Sequence, residues 1–153
     1  MAILFLDSSA LVKRYIAEAG SAWVAGLMIP PVTNPIHIGV VSGAEVVAAL
    51  ARRGRVGSLS PDQVSRAIAE FSDDWSELYE LVRADRAVVN RAMLLAQKHG
   101  LRGYDAVQLA GALEVSEFAH QFQSGFVLVS ADAELNAAAT AEGLLVENPN
   151  LHP

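Results

Sequence analysis

Four apolar residues in an unbroken run, Ile3-Leu4-Phe5-Leu6, stop abruptly at Asp7, where Asp7-Ser8-Ser9 supplies helix-capping side chains. A short run without polar alternation is a strand that meets apolar layers on both faces. A chain built this way needs helices above and below a parallel sheet. The remainder repeats the theme. Ile36–Val41 and Phe126–Val129 are further β-rich runs, Tyr79–Val82 is a weaker one, and Leu144-Leu145-Val146 is a short last one. Helical segments stand between them: one capped by Asp7 and running to about Ala17, then Ala22–Met28, and Ala44–Arg53 ended by Gly54. Further along come a helix opened by Ser60-Pro61-Asp62, Arg86–His99 closed by Gly100, Gly103–Phe118, and Asp132–Ala141.

The alternation predicts an α/β fold, and no linker, repeat or low-complexity tract divides it, so residues 1–153 are read as a single domain. With 52% hydrophobic and 18% charged residues the chain is far from the composition of disorder. A chain of this length buries roughly 70% of its unfolded surface without staples. The absence of cysteine excludes disulfides, thiolate zinc sites and cysteine nucleophiles, and fits a reducing cytoplasm. The longest apolar stretch, Ile38–Ala51, is interrupted by Glu45, and no segment has the length of a signal or membrane-spanning helix. The expectation is a soluble cytoplasmic protein without membrane association. A net charge of −6, from 11 basic and 17 acidic residues, speaks against a passive nucleic-acid binder. It leaves room for a nuclease whose acidic site is neutralised by metal.

Carboxylates mark one rim. Asp7 directly follows the first strand, Asp132 follows Phe126–Val129 across Ser130-Ala131, and Glu45 lies in the first turn after the second strand. In parallel α/β sheets, ligands bind beyond the carboxyl ends of the strands, which is where all three fall. Taken singly, Asp7 and Asp132 read first as helix caps. Glu45 resists so plain a reading. It is the only charge between Ile38 and Ala51, set among Val40, Val41, Val46, Val47 and Leu50, and it needs either a partner such as arginine or a bound cation. Asp105 opens Asp-Ala-Val-Gln-Leu-Ala-Gly-Ala, one helical turn before Leu109 and Ala112. Gathered together, these acids would repel one another and raise their own pKa values. A hard divalent cation removes the conflict, and oxygen-only ligands favour Mg2+ or Mn2+ over zinc.

The combination resembles the PIN-domain ribonucleases, in particular the toxin-like VapC branch of type II toxin–antitoxin modules. The resemblance is carried by Asp7-Ser8-Ser9-Ala10-Leu11-Val12-Lys13, by Glu45 on the next rim helix, by Asp105-Ala106 with Leu109, Ala110 and Ala112, and by Ser130-Ala131-Asp132 with Leu135, followed by Glu142-Gly143-Leu144. It spans essentially the whole chain. It implies a three-layer α/β/α sandwich with a parallel sheet of four or five strands, and Mg2+- or Mn2+-dependent endoribonuclease activity. It also implies a homodimer and inhibition by a cognate antitoxin. Residue by residue, Asp7, Glu45 and Asp105 match the principal acidic positions and Asp132 the fourth. Ser9 matches a small hydroxyl residue that orders the site, and Ser130 a polar site-lining position. Under this resemblance Asp7 and Asp105 hold an ion, Glu45 and Asp132 ligate through water or a second ion, and RNA is cut to 5′-phosphate and 3′-hydroxyl ends. The readings in competition are a DNA- or structure-specific nuclease with the same site, and a catalytically silent protein-binding module.

Other features are read plainly. Arg52, Arg53 and Arg55 read as a solvated basic helix end, the alternatives being contact with an RNA backbone or with an acidic antitoxin segment. Lys13 and Arg14 are either surface residues or phosphate contacts. Trp23, Trp75, Tyr79 and Tyr104 are assigned to core rather than to base stacking, and His37, His99, His120 and His152 have no metal-ligand spacing. A haloacid dehalogenase-like phosphatase needs an acid where Ser9 stands. A response-regulator receiver needs a lysine after the late strand, where Ser130-Ala131 stands.

Overall fold

The computed structural model describes residues 1–153 throughout. Its strands are β1 (Ala2–Leu6), β2 (Ile36–Gly39), β3 (Glu80–Val82), β4 (Gly125–Val129) and β5 (Val146–Glu147). They form one parallel sheet in the order β3-β2-β1-β4-β5, with the opening apolar run at its centre. Alternate side chains leave β1 on opposite faces. Leu4 and Leu6 join Ile36, Ile38 and Val129 in one apolar layer, and Ile3 and Phe5 join Phe126 and Leu128 in the other.

The first layer is covered by α1 (Ser8–Leu11), α2 (Ser21–Gly26), α3 (Ser42–Arg55) and α4 (Pro61–Glu77), through Leu11, Val24, Val46, Leu50 and Phe71. The second is covered by α5 (Arg86–His99), α6 (Gly103–Gln121) and α7 (Ala133–Ala141), through Val88, Leu109 and Leu135. This is the expected three-layer α/β/α sandwich, with five strands. Leu6 and Leu109 are fully buried, each contributing about 1.5–3 kcal/mol of apolar burial. The expected caps form. Asp7 accepts from Ala10 N–H, Asp132 accepts from Leu135 N–H, Ser60 and Gln63 make a reciprocal capping box, and Gly100 closes α5 at a φ of 66°.

The structure corrects three boundaries. The first helix ends at Leu11 and tightens into a 3-10 turn over Val12–Arg14 instead of reaching Ala17. There Lys13 Nζ donates to Glu18 Oε1 and to the Ala19 carbonyl, each at 2.9 Å, and this folds the following loop back on the turn. Arg14 pairs with Asp74 at 2.7 Å, so neither base is free for substrate. Helix α3 runs through Gly54 to Arg55. A Cβ on Gly54 would stand 2.9 Å from Val64 Cγ2, so this glycine serves the close approach of α3 to α4 and does not end the helix. The last strand begins two residues late. Leu144 turns into the core after Gly143, and Leu128 N–H reaches the Leu145 carbonyl at 2.9 Å to begin the pairing.

From β1 the sheet grows outward through β2 and β3, then restarts on the other side with β4 and β5. The reversal lies between β1 and β4, and beyond their carboxyl ends it opens a crevice.

Candidate active site

Asp7 sits at that reversal, 2% exposed, with its N–H on the Val129 carbonyl at 3.1 Å. Its carboxylate receives the Ala10 N–H at 3.1 Å and the Ser9 hydroxyl, which lies 2.8 and 2.9 Å from the two oxygens. Burial pushes the Asp7 carboxyl up to about 7; the Ser9 and Ala10 bonds oppose the rise and the neighbouring Asp132 adds to it. Ser9 Oγ also accepts the Ala131 N–H at 2.9 Å. One hydroxyl thereby ties the loop after β1 to the loop after β4.

Asp132 projects from that second loop. Its Oδ1 caps α7 through Leu135 N–H at 2.8 Å, and its N–H donates to Ser130 Oγ at 3.1 Å. Ser130 is fully buried, and its carbonyl receives the Asn136 amide at 2.9 Å. It shapes the loop from behind the wall of the site; the resemblance had placed it on the lining. Asp105 enters from the first turn of α6, and its Oδ2 accepts from Arg102 Nε at 3.1 Å. Burial raises its pKa, the Arg102 bond holds it back, and the Asp132 charge raises it further. Arg102 Nη2 also faces Asp132 Oδ2 at 3.4 Å, so one guanidinium, 75% exposed, spans two of the acids. Glu45 stands in the first turn of α3 as anticipated, but its partner is a neutral amide and no arginine: Gln108 Nε2 donates to Glu45 Oε1 at 2.8 Å.

Asp7, Glu45, Asp105 and Asp132, together with Ser9, line one open cleft of about 1070 Å³ between α3, α5 and the sheet rim. Their side chains do not bring three acids within common reach of one ion. In chemistry they suit a hard divalent cation, since every donor is oxygen and a cation would offset the burial that disfavours the Asp7 carboxylate.

Two residues of this site escaped the sequence reading. Arg102 gains its meaning only when the fold brings Asp132 to it from 30 positions away. Gln108 carried a legible signal, being the only polar side chain between Ala106 and Leu113. Among the aromatics, Trp75 packs on Gly43, where a Cβ would stand 2.9 Å from the ring, and Trp23 stacks on His152 at 4.3 Å. Tyr104 departs from the core assignment: it is 65% exposed and lines the cleft. Of the basic cluster, Arg53 pairs with Glu18 at 2.6 Å, whereas Arg52 lines the cleft with no carboxylate partner. No histidine lines the cleft, and His99 and His152 pair with Glu142 and Glu147.

No family model matches the chain. It is 31% identical over all 153 residues to ribonuclease VapC45 and ribonuclease VapC49 of two Mycobacterium tuberculosis strains, each matched along its whole length. Among solved structures it is similar in fold to a toxin–antitoxin complex from Klebsiella pneumoniae. That match has a TM-score of 0.58 at 18% identity, covering 97% of this chain and 98% of the other.

Proposed function

The chain belongs to the VapC ribonuclease family, and from this premise we propose that it is a metal-dependent endoribonuclease acting as the toxin of a type II toxin–antitoxin module. The observation that carries the reading is the meeting of Asp7, Glu45, Asp105 and Asp132, from four separate segments, on one cleft at the sheet's reversal. An acidic protein gains an acidic polymer as substrate only if positive charge is supplied locally. The oxygen-only donor set favours Mg2+ or Mn2+ for that role. Asp7 and Asp105 are the residues that would hold it, with Glu45 and Asp132 assisting. When bound, such a cation stabilises charge on the phosphate and makes water a stronger nucleophile.

The chain's own side chains prepare this chemistry. Ser9 holds the Asp7 carboxylate by its hydroxyl and pins the Ala131 loop to it. Arg102 covers the charge of Asp105 and Asp132 and is exposed enough to move to a substrate phosphate. Apolar side chains, Val41, Val89 and Met93 among them, line the cleft beside the acids.

The partners proposed are RNA as substrate, a cognate antitoxin and a second copy of the chain. Met93 and Leu94 on α5, 65% and 69% exposed, leave apolar surface for protein contact beside the cleft. No helix is long and apolar enough to cross a membrane, and the cytoplasm is the compartment proposed. The test is cleavage of labelled single-stranded RNA with Mg2+ or Mn2+, beside single- and double-stranded DNA, by the parent and by Asp7→Asn. RNA-selective, cation-dependent cleavage lost in the variant is expected. Equal activity in both removes the assigned site.

A further inference from the structure

We propose that Gln108 is a positioning residue for Glu45, setting the direction in which this carboxylate faces the cleft. The inference rests on the reading of the cleft as the catalytic site. Gln108 is 1% exposed in the middle of the apolar helix α6, where an amide side chain costs stability unless its polar atoms are used. Both of its N–H groups are used. Nε2 donates to Ser42 Oγ and to Glu45 Oε1, each at 2.8 Å, while Ser42 is itself fully buried. The amide oxygen has no partner at all. Helix α6 therefore tolerates an orphaned acceptor in its core while directing its donor at a cleft carboxylate.

The geometry leaves the amide one orientation. A flip would turn Oε1 toward the Glu45 carboxylate and replace attraction with repulsion. On its other side the amide oxygen faces Gly39 of β2, where a Cβ would stand only 3.0 Å from Oε1, so the glycine leaves the room that this orientation uses. The choice of amide also has a chemical consequence. An arginine in this place would orient Glu45 but cancel its charge, as Arg102 does for Asp105 and Asp132. A neutral donor fixes one oxygen and leaves the carboxylate's full negative charge facing the cleft. Gln108 lies one helical turn beyond Asp105, so the same helix that presents one acid holds a second acid in register with it.

The test is Gln108→Met, which keeps close to the length and volume of the side chain and removes the amide, both its donor and its unpartnered oxygen. Binding of Mn2+ to the full chain is read by titration calorimetry, and RNA cleavage by kcat and KM separately. Supporting groups of this kind typically contribute about 10–100-fold to metal affinity or rate. The expected result is a loss of about tenfold or more in Mn2+ affinity and in kcat, with KM for RNA and the thermal midpoint retained. A purely structural glutamine would move the midpoint and leave Mn2+ affinity alone. Glu45→Ala separates the two layers of the argument. If Glu45→Ala weakens Mn2+ binding while Gln108→Met leaves it within twofold, the positioning role is overturned and the site stands. If neither changes it, both fall. In a Glu45→Ala background the Gln108→Met change should have no further effect, and an undiminished effect there also overturns the proposal. Should Gln108→Met not fold, Gly39→Ala crowds the same amide without removing it, and unchanged Mn2+ affinity in that variant counts equally against the role.

Discussion

Ser9 Oγ donates to Asp7 Oδ1 at 2.8 Å and itself accepts the Ala131 N–H at 2.9 Å. A two-residue step on a helix start is thereby coupled to a loop more than a hundred positions later. Ser9→Ala removes a donor from a buried carboxylate and orphans a backbone N–H, a loss of about 1–3 kcal/mol in stability by the usual cost of an unmade buried hydrogen bond. Since the Ser9 bond works against the rise in the Asp7 pKa, its loss lifts that pKa further. The acid limb of the cleavage profile should shift to higher pH, and Ser9→Thr, which keeps the hydroxyl, should restore it. Denaturant unfolding together with a pH–rate series checks both effects.

Asp7 itself links stability to pH in an unusual direction. An ordinary carboxyl near 3.8 is raised to about 7 in the fold. Between these values the folded chain keeps a proton that the unfolded chain has lost. The Asp7 contribution to stability therefore falls as pH rises through this window, the reverse of a salt-bridged acid. At 1.36 kcal/mol per unit the cost is on the order of 4 kcal/mol by pH 8. Asp7→Asn preserves the cap, because an asparagine oxygen still accepts from Ala10 N–H. In metal-chelated buffer at pH 8 this variant should be more stable than the parent, with the advantage vanishing near pH 4. Chemical denaturation of both across that range decides the point, and an Asp7→Asn variant no more stable than the parent at pH 8 would contradict it.

How far the sequence alone reaches depends on whether a residue stands out from its neighbours. Ile3–Leu6 and Asp7 are legible because an apolar run ending in a cap has few meanings in a parallel sheet. Glu45 is legible because a lone charge in an apolar stretch demands a partner. Gln108 obeys the same logic but carries no charge to draw notice. Lys13 reads as surface or as a phosphate contact, and its burial depends on a turn that brings Glu18 and the Ala19 carbonyl to it. Gly54 looks like a helix stop until Val64 of α4 is seen against it. Arg102 and Asp132 meet only through the sheet order, which local patterns do not encode.

On the proposed metal reading, Arg102 would compete with a divalent cation for Asp105 and Asp132, because its guanidinium already meets one oxygen of each. Replacing it with alanine leaves those carboxylates facing each other without a counter-charge. Arg102→Ala should bind Mn2+ several-fold more tightly than the parent in calorimetry, by the ordinary Coulomb argument. Its Asp105 carboxyl should also titrate higher in the metal-free state, since the Arg102 bond is what holds that pKa down. Weaker Mn2+ binding would instead make Arg102 part of the structure that organises the site.

Arg52 and Glu45 share one face of α3, seven residues apart, about 10 Å along the axis at 1.5 Å per residue. Both line the cleft, the carboxylate beside the other acids and the guanidinium farther along, without an ion-pair partner. Adjacent phosphates of a nucleic-acid strand lie close enough that a strand cut at the acids would carry its next phosphates toward Arg52. A cation that meets one phosphate of a single strand contributes about 0.7 to the slope of log affinity against log salt. Arg52→Ala should therefore raise KM for RNA at low salt, flatten its salt dependence by about that amount, and leave kcat and Mn2+ affinity unchanged. Arg53, held by Glu18 at 2.6 Å, serves as the internal control, because its charge is already spent. An Arg53→Ala variant that flattens the salt slope as strongly as Arg52→Ala would remove Arg52 from the strand's path.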